Sequence, residues 1–366
     1  HTEKGSRQQV HPSSLAQCLL DTDLLVAKLV SAWVRDVNEE GIEPHPGPRY
    51  ITKNINSVHA KGKLFTMLRS VRRESDRSPI SAVFIQDHRL EAKRDPELRS
   101  LANQKNLLAI AAYAPPHPTN KLCYGGTMII IPYESIDLDK GEDIHTACAR
   151  IRQTMVSGDR GSWVSADLSI EGKSCRPTAV YAPPRGCERP AFFKRLKRKI
   201  SSTSIIGIDA NCVPDITKDL KRTATSPYDN RGAAELLDLV DTKGLIDVVR
   251  ETSGTMPIFS AEHCVRNGHV CWSRIDQIYA PMDHDVQWTP AQTNDFFTDD
   301  DKPKGEIDHS AVEVTSTKVK PEKGNDLPRI NEDVLNNPRI VKDLIKLVTE
   351  LKDGIDTTQQ DGWREG

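Results

Sequence analysis

Six short polar motifs are notable because each follows or interrupts an apolar run of the kind that forms a β-strand. In chain order they are Asn54-x-Asn56, Gln86-Asp87, Tyr181-Ala182-Pro183, Asp209-x-Asn211, Arg274-Ile275-Asp276 and Asp308-His309. A single polar residue after a strand is usually a turn residue, but this set combines carboxylate, amide and imidazole groups. Carboxylate and amide oxygens are ligands for a hard cation such as Mg²⁺, and an imidazole beside a carboxylate can transfer protons. The motifs therefore indicate metal-assisted acid–base chemistry.

The apolar runs around these motifs predict short strands that alternate with helices. Nine strands are predicted, at residues 50–55, 82–85, 107–113, 126–131, 162–170, 178–181, 204–208, 274–279 and 311–314. Three helices are predicted, at residues 60–73, 189–201 and 232–243. Because strands of one sheet bring their ends together, we expect the polar motifs to converge at one edge. A layered α/β sandwich fits this alternation. A doubly wound parallel sheet is the competing fold, and periodicity alone does not exclude it.

Two flanking segments differ in composition from the central region. Residues 1–48 contain a predicted amphipathic helix within residues 13–36 and then a Pro-rich linker, which a helix cannot continue. Residues 317–366 begin with a linker rich in Lys, Pro, Glu, Gly and Asp and contain a predicted amphipathic helix at residues 338–352. One central domain at residues 49–316 is therefore predicted between them.

The composition excludes several broad classes of protein. The 366 residues include 50 Lys and Arg and 52 Asp and Glu, and the formal net charge of −2 excludes a polybasic nucleic-acid binder. No apolar run approaches the ~18 residues that a membrane span requires. The eight Cys residues are scattered, and the N-terminal residues lack the basic flank and apolar run of a signal peptide. The sequence thus predicts an intracellular protein with free thiols and no membrane partner.

The ordered set of motifs resembles the endonuclease/exonuclease/phosphatase superfamily, most closely the apurinic-type endonuclease domain of LINE-type (non-LTR) retrotransposons. The resemblance covers about residues 49–316. It implies a four-layer α/β sandwich, in which two mostly antiparallel sheets are flanked by helices. It also implies a Mg²⁺-dependent endonuclease, with Mn²⁺ as the alternative ion, that nicks one strand of double-stranded DNA in the nucleus. The residues after 316 would then begin a connector towards a reverse transcriptase region of a longer polyprotein.

The resemblance also implies roles for individual residues. The implied metal ligands are Asn56, Asp87 and Asp308. The implied catalytic residues are Asp209, which orients water or protonates the leaving oxygen, the Asp276–His309 pair, and the phosphate-binding Asn211 and Tyr181. In the Asp276–His309 pair the carboxylate fixes the tautomer of the imidazole. The implied substrate-binding residues are Asn54, Arg185 and Arg274.

Two positions depart from the family pattern. Asp87 stands where the family has Glu, and its side chain is one methylene shorter, although Mg²⁺ requires close octahedral contacts at about 2.0–2.1 Å. Ile307 stands where a small polar residue is usual. Two alternatives therefore stay open. One is a phosphatase or phosphodiesterase of the same superfamily that acts on a soluble phosphoester, and the other is a catalytically decayed remnant that only binds DNA. A basic helix over residues 192–200 would favour a phosphate contact, although such a face is more often only solvated.

Overall fold

The computed structural model of the protein describes residues 46–58, 62–119, 122–223, 227–253, 258–265, 269–282, 286–289, 291–294 and 309–318. The strands are β1 (Pro46–Asn54), β2 (Ala82–Gln86), β3 (Leu107–Ala112), β4 (Thr127–Pro132), β5 (Val156–Ser157), β6 (Trp163–Ser165), β7 (Leu168–Ile170), β8 (Lys173–Tyr181), β9 (Ser204–Asp209), β10 (Leu220–Arg222), β11 (Leu245–Asp247), β12 (Ala261–Val265), β13 (His269–Ser273), β14 (Asp276–Pro281), β15 (Val286–Trp288), β16 (Gln292–Asn294) and β17 (Ala311–Lys318). The α-helices are α1 (Lys63–Arg77), α2 (Asp95–Asn103), α3 (Ile144–Gln153), α4 (Arg189–Lys197), α5 (Ile216–Asp219), α6 (Ala233–Thr242) and α7 (Val248–Ser253).

Two seven-stranded sheets form the centre of the fold. One has the order β15-β17-β1-β2-β4-β3, with β16 also paired to β17. The other has the order β11-β14-β9-β8-β6-β5, with β7 also paired to β8. Among the described strands, β1–β2 and β8–β9 pair in parallel and the remaining pairs are antiparallel. This pairing confirms two mostly antiparallel sheets and excludes the doubly wound alternative.

Apolar side chains on both faces of each sheet explain the layering. Successive residues of a strand point to opposite faces, so Phe84 packs between the two sheets while its neighbour Ile85 packs against α1 and α2. In the same way, Ile205 belongs to the core between the sheets, whereas Ile206 packs against α4 and α6. Three apolar layers therefore separate helices, sheet, sheet and helices, which confirms the predicted four-layer sandwich.

Gly207 in β9 allows the two sheets to approach closely. A Cβ atom at this position would lie 2.3 Å from ring atoms of Phe84 in β2. The side-chain amide of Gln86 donates a hydrogen bond to the Gly207 carbonyl oxygen at 3.1 Å. The glycine thus fixes the spacing of the sheets two residues before Asp209.

Each of the nine predicted strands overlaps a strand of the structure, but the strand predicted at 162–170 is divided into β6 and β7. The division has a local cause on the partner strand β8, because Pro177 has no N–H to donate. Opposite the gap, the Asp167 N–H donates to Thr154 Oγ1 at 2.8 Å instead of to a strand. The three predicted helices correspond to α1, α4 and α6, whereas α2, α3, α5 and α7 are not predicted.

A third sheet, in the order β10-β13-β12, lies beside the ends of the central strands. Ala261 in β12 forms an isolated bridge with His309, and the Ser310 N–H donates to the Ser260 carbonyl oxygen at 2.7 Å. These contacts position His309, which directly precedes Ser310 and β17.

The two flanking helices predicted at residues 13–36 and 338–352 lie outside the described residues, so the division of the chain into three segments stays a prediction. Among the described helices, none has the length and hydropathy that a membrane span would require.

Candidate active site

The two parallel strand pairs bring polar residues to one edge of the sandwich. Asn54 at the end of β1 is in register with Gln86 at the end of β2, and Tyr181 at the end of β8 is in register with Asp209 at the end of β9. The Asn54 Nδ2–H donates across the sheets to Asp209 Oδ2 at 2.8 Å. The predicted convergence of these strand ends is therefore present in the structure.

Asp209, Asp276 and His309 form a buried cluster at this edge. Since β14 runs antiparallel to β9, Asp276 at its start lies directly opposite Asp209. His309 Nδ1 lies 2.7 Å from Asp276 Oδ2. One ligand atom from each of the three residues lies within 4.8 Å of the others, and the residues are 1%, 0% and 6% exposed. Because the carboxylate accepts at Nδ1, the proton of a neutral His309 is held on Nδ1.

The burial of Asp209 perturbs its ionisation. Removal from water and the nearby Asp276 carboxylate raise the pKa of Asp209 to about 7, although His309 and the hydrogen bond from Asn54 oppose the rise. Burial disfavours the charged form of the carboxyl, and the Asp276 carboxylate disfavours a second negative charge beside it. Asp209 is therefore a group that exchanges a proton near neutral pH.

Two asparagines hold Asp209 in place. The Asn211 N–H donates to Asp209 Oδ1 at 2.9 Å, while its side-chain amide donates to the Ala182 carbonyl oxygen at 2.9 Å. Asn54 Oδ1 in turn accepts the Asn56 N–H at 2.9 Å. Asn56 and Asn211 have φ values of 44° and 51°, in the left-handed region that Asn tolerates better than most residues. The Asn-x-Asn and Asp-x-Asn motifs are thus tight turns at strand ends.

Asp87 is 3% exposed, and both of its carboxylate oxygens accept hydrogen bonds. Oδ1 accepts the Gly125 N–H at 2.7 Å. Oδ2 accepts Arg89 Nε–H at 3.0 Å and Nη2–H at 2.6 Å. The same Nη2 donates to Asn56 Oδ1 at 2.5 Å. One guanidinium therefore bridges two of the predicted metal ligands.

The two halves of the edge fit a divalent cation differently. In the Asp209–Asp276–His309 half, Asp276 Oδ1 is buried and has no hydrogen-bond donor among the described residues. A buried carboxylate oxygen without a donor is costly, and a cation or a bound water would satisfy it. In the other half, Asp87 and Asn56 offer suitable oxygens, but N–H groups of Arg89 already occupy them.

Comparison with solved structures identifies the architecture. The AP endonuclease LMAP from Leishmania major matches with a TM-score of 0.50 at 11% identity, over 77% of this chain and 90% of that chain. The chain has the endonuclease/exonuclease/phosphatase fold. An AP endonuclease from Archaeoglobus fulgidus matches at 17% identity and a TM-score of 0.48, over 74% of this chain and 100% of that chain. The endonuclease domain of TRAS1, a telomere-specific non-LTR retrotransposon, matches at 14% identity and a TM-score of 0.46, over 75% of this chain and 99% of that chain.

The sequence comparisons give no further assignment. No family model matches the chain, and no curated protein matches it. Because the three solved structures are only 11–17% identical to this chain, their likeness shows the endonuclease/exonuclease/phosphatase fold and nothing about the activity.

Arg274 occupies a different place in this fold from the one predicted. Its side chain is 1% exposed, and its guanidinium contacts both oxygens of Asp219, at 2.8 and 3.0 Å, and both oxygens of Asp247, at 3.0 and 2.8 Å. A buried guanidinium that two carboxylates satisfy cannot reach a DNA phosphate. Its predicted substrate-binding role is therefore corrected to a structural one, in which it joins α5 to β11.

The remaining predicted residues have simpler positions. Tyr181 is half-buried beside Gly125, and a Cβ atom added to this glycine would lie 3.6 Å from the tyrosine ring. Arg185 is 80% exposed and lies 3.7 Å from Glu188. Asp308 lies outside the described residues. The structure thus places Tyr181 at the polar edge and leaves Arg185 accessible to solvent.

The basic face of α4 is partly neutralised by α6. Lys194 lies 3.6 Å from Glu235, and Lys197 lies 2.8 Å from Asp238. Because these lysines pair with carboxylates of α6, the basic face of α4 is better explained as a solvated surface than as a phosphate-binding patch.

Two side chains at the edge are not predicted from the sequence. Ser260 Oγ accepts the Asp276 N–H at 2.9 Å and the Ile275 N–H at 3.2 Å, which fixes the start of β14. No sequence signal identifies Ser260, because it lies 16 residues from its partner. Arg89 lies only two residues after Asp87, and this short spacing could have indicated that the two side chains form a pair.

Proposed function

We propose that this chain is a Mg²⁺-dependent endonuclease that nicks one strand of double-stranded DNA, with Mn²⁺ as the alternative ion. The observation that carries the proposal is the buried Asp209–Asp276–His309 cluster, which combines a carboxylate of raised pKa with an oriented imidazole. Phosphodiester hydrolysis needs an activated water and a proton for the leaving oxygen. The cluster contains one group suited to each task.

His309 is the proposed base. Asp276 accepts at Nδ1 from a distance of 2.7 Å, so the lone pair of the neutral ring lies on Nε2 and could accept a proton from the attacking water. Asp209 is the proposed acid. With a pKa of about 7, it is protonated in a substantial fraction of molecules at neutral pH and could donate to the leaving oxygen.

The other edge residues have supporting roles in the proposal. Asn211 and Tyr181 would donate hydrogen bonds to phosphate oxygens on which charge increases in the transition state. Asn54 would hold the ionised form of Asp209 in position through its amide. Arg185 is the proposed exposed contact to the DNA backbone.

Asn56, Asp87 and Asp308 are the proposed ligands of the cation, as the sequence resemblance implies. A bound Mg²⁺ would neutralise phosphate charge and lower the pKa of a coordinated water. Asp276 Oδ1 could contribute to the same or a neighbouring ion, because it is buried without a donor among the described residues.

The substrate class comes from the sequence resemblance and from the name of LMAP, an AP endonuclease. Action in the nucleus and a reverse transcriptase region in a longer polyprotein are further predictions of the same resemblance.

Nicking of a supercoiled plasmid tests the proposal directly. We expect the wild-type protein to convert supercoiled plasmid to open circles in Mg²⁺ or Mn²⁺ but not in a chelator. His309→Ala should slow this conversion by at least about 100-fold, the usual contribution of one acid–base group. Asp241→Asn, an exposed change on α6, is the control and should cut at the wild-type rate.

The alternatives give different outcomes in the same preparation. Release of phosphate from a soluble inositol phosphate or nucleotide, without plasmid nicking, would indicate that the protein is a phosphatase and not an endonuclease. DNA binding without either reaction would indicate the decayed remnant. Equal nicking by the wild type and His309→Ala would reject the role given to His309.

A further inference from the structure

Arg89 occupies the half of the edge where the proposed cation should bind. Its guanidinium contacts Asp87 through two N–H groups and reaches Asn56 through one of them, at 2.5–3.0 Å. The carboxylate side chain is 5% exposed and the arginine side chain 32% exposed, so the pair is only partly screened by water. A positive charge is therefore already present where the divalent ion would contact the protein.

The backbone around Arg89 is fixed rather than loose. Asp87 and Arg89 have φ values of 52° and 55°, and the Arg89 N–H donates to the Gly125 carbonyl oxygen at 2.9 Å. Between them, His88 is fully buried; it accepts the Leu90 N–H at Nδ1 and lies 3.1 Å from the Ala112 carbonyl oxygen at Nε2. The fold thus presents the guanidinium to Asp87 by a defined turn.

An aromatic ring covers the same guanidinium. The Arg89 Cζ atom lies 5.7 Å from the centre of the Tyr124 ring, within the range of a cation–π contact. Tyr124 is 51% exposed, so the ring lies at the protein surface. The ring helps to orient the arginine towards Asp87 without enclosing it, and the side chain retains room to move outward.

A cation on Asp87 would be repelled by Arg89 in its present position. Mg²⁺ binds carboxylate oxygens at about 2.0–2.1 Å, so an ion on Oδ2 would lie within about 5 Å of the Arg89 nitrogen that contacts the same oxygen. Asp87 Oδ1 already accepts the Gly125 N–H, so an ion there would share the oxygen with that donor. Binding of the ion beside the guanidinium therefore costs electrostatic repulsion, which is relieved if Arg89 moves away from Asp87.

We propose that Arg89 is a built-in competitor of the divalent cation at Asp87. The guanidinium neutralises Asp87 and holds Asn56 when no ion is bound, and its repulsion of a bound ion favours its departure when the ion binds. It would then extend towards solvent, where a cationic fork can pair with a DNA phosphate. This inference rests on the proposed metal-dependent function, and it predicts that Arg89 lowers the affinity of Asp87 for the metal ion.

Direct titration with Mn²⁺, followed by electron paramagnetic resonance of the free ion without DNA, tests the inference. Arg89→Gln removes the charge, and we expect the ion at Asp87 to bind about tenfold more tightly than in the wild type. Arg89→Lys keeps the charge and should stay within about threefold of the wild type. Arg69→Gln, an exposed change on α1 with the same loss of charge, is the control and should bind as the wild type does.

A double-mutant cycle assigns the effect to Asp87. In an Asp87→Asn background, Arg89→Gln should no longer tighten Mn²⁺ binding, even if another part of the edge still holds an ion. Circular dichroism and thermal melting of each variant establish that it is folded before the titration. Plasmid nicking by the wild type is measured on the same preparations.

The outcomes separate this inference from the proposed function. Equal or weaker Mn²⁺ binding by Arg89→Gln, or tightening that persists without Asp87, overturns the competition while nicking by the wild type leaves the function intact. Absence of Mn²⁺ binding in every variant overturns the competition, whereas nicking that continues in a chelator overturns the metal dependence. Tightening that requires Asp87 and the loss of the Arg89 charge supports the inference.

Discussion

Neutralising Asp209 should remove a pH-dependent penalty on the folded state. The pKa of Asp209 is raised from the ordinary 3.8 to about 7 by burial and by the Asp276 carboxylate. Below about pH 4 the side chain is neutral in the folded and unfolded states, so it adds no pH dependence. Between about pH 4 and 7 the unfolded state releases its proton first, and the free energy of unfolding falls as the pH rises. Above about pH 7 the penalty is complete.

The size of the penalty follows from the shift. At 1.36 kcal/mol per pKa unit, the rise from 3.8 to about 7 corresponds to about 4 kcal/mol. Asp209→Asn keeps the shape of the side chain but places an amide where both oxygens now accept N–H groups from Asn54 and Asn211. That mismatch costs about 1–3 kcal/mol at every pH. The pH-dependent part is therefore separable from the constant part.

Urea denaturation of the wild type and Asp209→Asn, in a chelator from pH 4 to 8, measures this difference. We expect the free energy of unfolding of Asp209→Asn, minus that of the wild type, to increase by up to about 4 kcal/mol across the range. Asp241→Asn, an exposed change, is the control and should give a flat difference. A flat or falling curve for Asp209→Asn would refute the claim that the folded site disfavours a charged Asp209.

Three further substitutions test other parts of the structure. Arg274→Met removes one cation from Asp219 and Asp247, which keep their contacts with Arg250. It should lower the free energy of unfolding in urea by about 3 kcal/mol, against little change for the exposed Arg185→Met. An equal effect would contradict a buried ion pair. Gly207→Val places side-chain atoms against Phe84 and should cost about 1–3 kcal/mol or more. Phe84→Ala removes the Cγ and the ring and should relieve part of that cost in the double variant, and additive losses would reject the contact. Ser260→Ala removes an acceptor for two buried N–H groups and should lower both the melting temperature and the nicking rate; unchanged values would show that Ser260 does not position β14.

The layers of the fold were predictable because the strands are apolar on both faces. Runs such as Ala82–Gln86 and Ser204–Asp209 are buried along their whole length, and strands of this kind need a layer on each side. The short elements were not predictable for the opposite reason. α5 has four residues and β10 has three, too few for a periodic pattern, and tertiary contacts determine their conformation.

The candidate site was predictable where its residues end a strand and were not where partners come from distant segments. Asn54, Asp209 and Asp276 meet because strand pairing fixes their positions, so the order of the motifs was informative. Arg274 belongs to a recognisable Arg-Ile-Asp motif, but the carboxylates that bind it lie 55 and 27 residues away. Nothing local to the motif indicates that its arginine is buried and its aspartate is part of the site.

The two halves of the edge differ in how their negative charge is balanced. Asp87 is paired with Arg89, an internal cation that is present in every molecule. Asp209 and Asp276 have one imidazole beside them, and burial together with the Asp276 carboxylate raises the pKa of Asp209 more than His309 lowers it. An arginine beside Asp209 would make the folded site more stable, but it would also lower the pKa of Asp209, so that this carboxyl could not donate a proton near neutral pH. The Asp209–Asp276–His309 half is therefore the half in which a carboxyl group can exchange a proton, whereas a cation at Asp87 would meet the positive charge of Arg89.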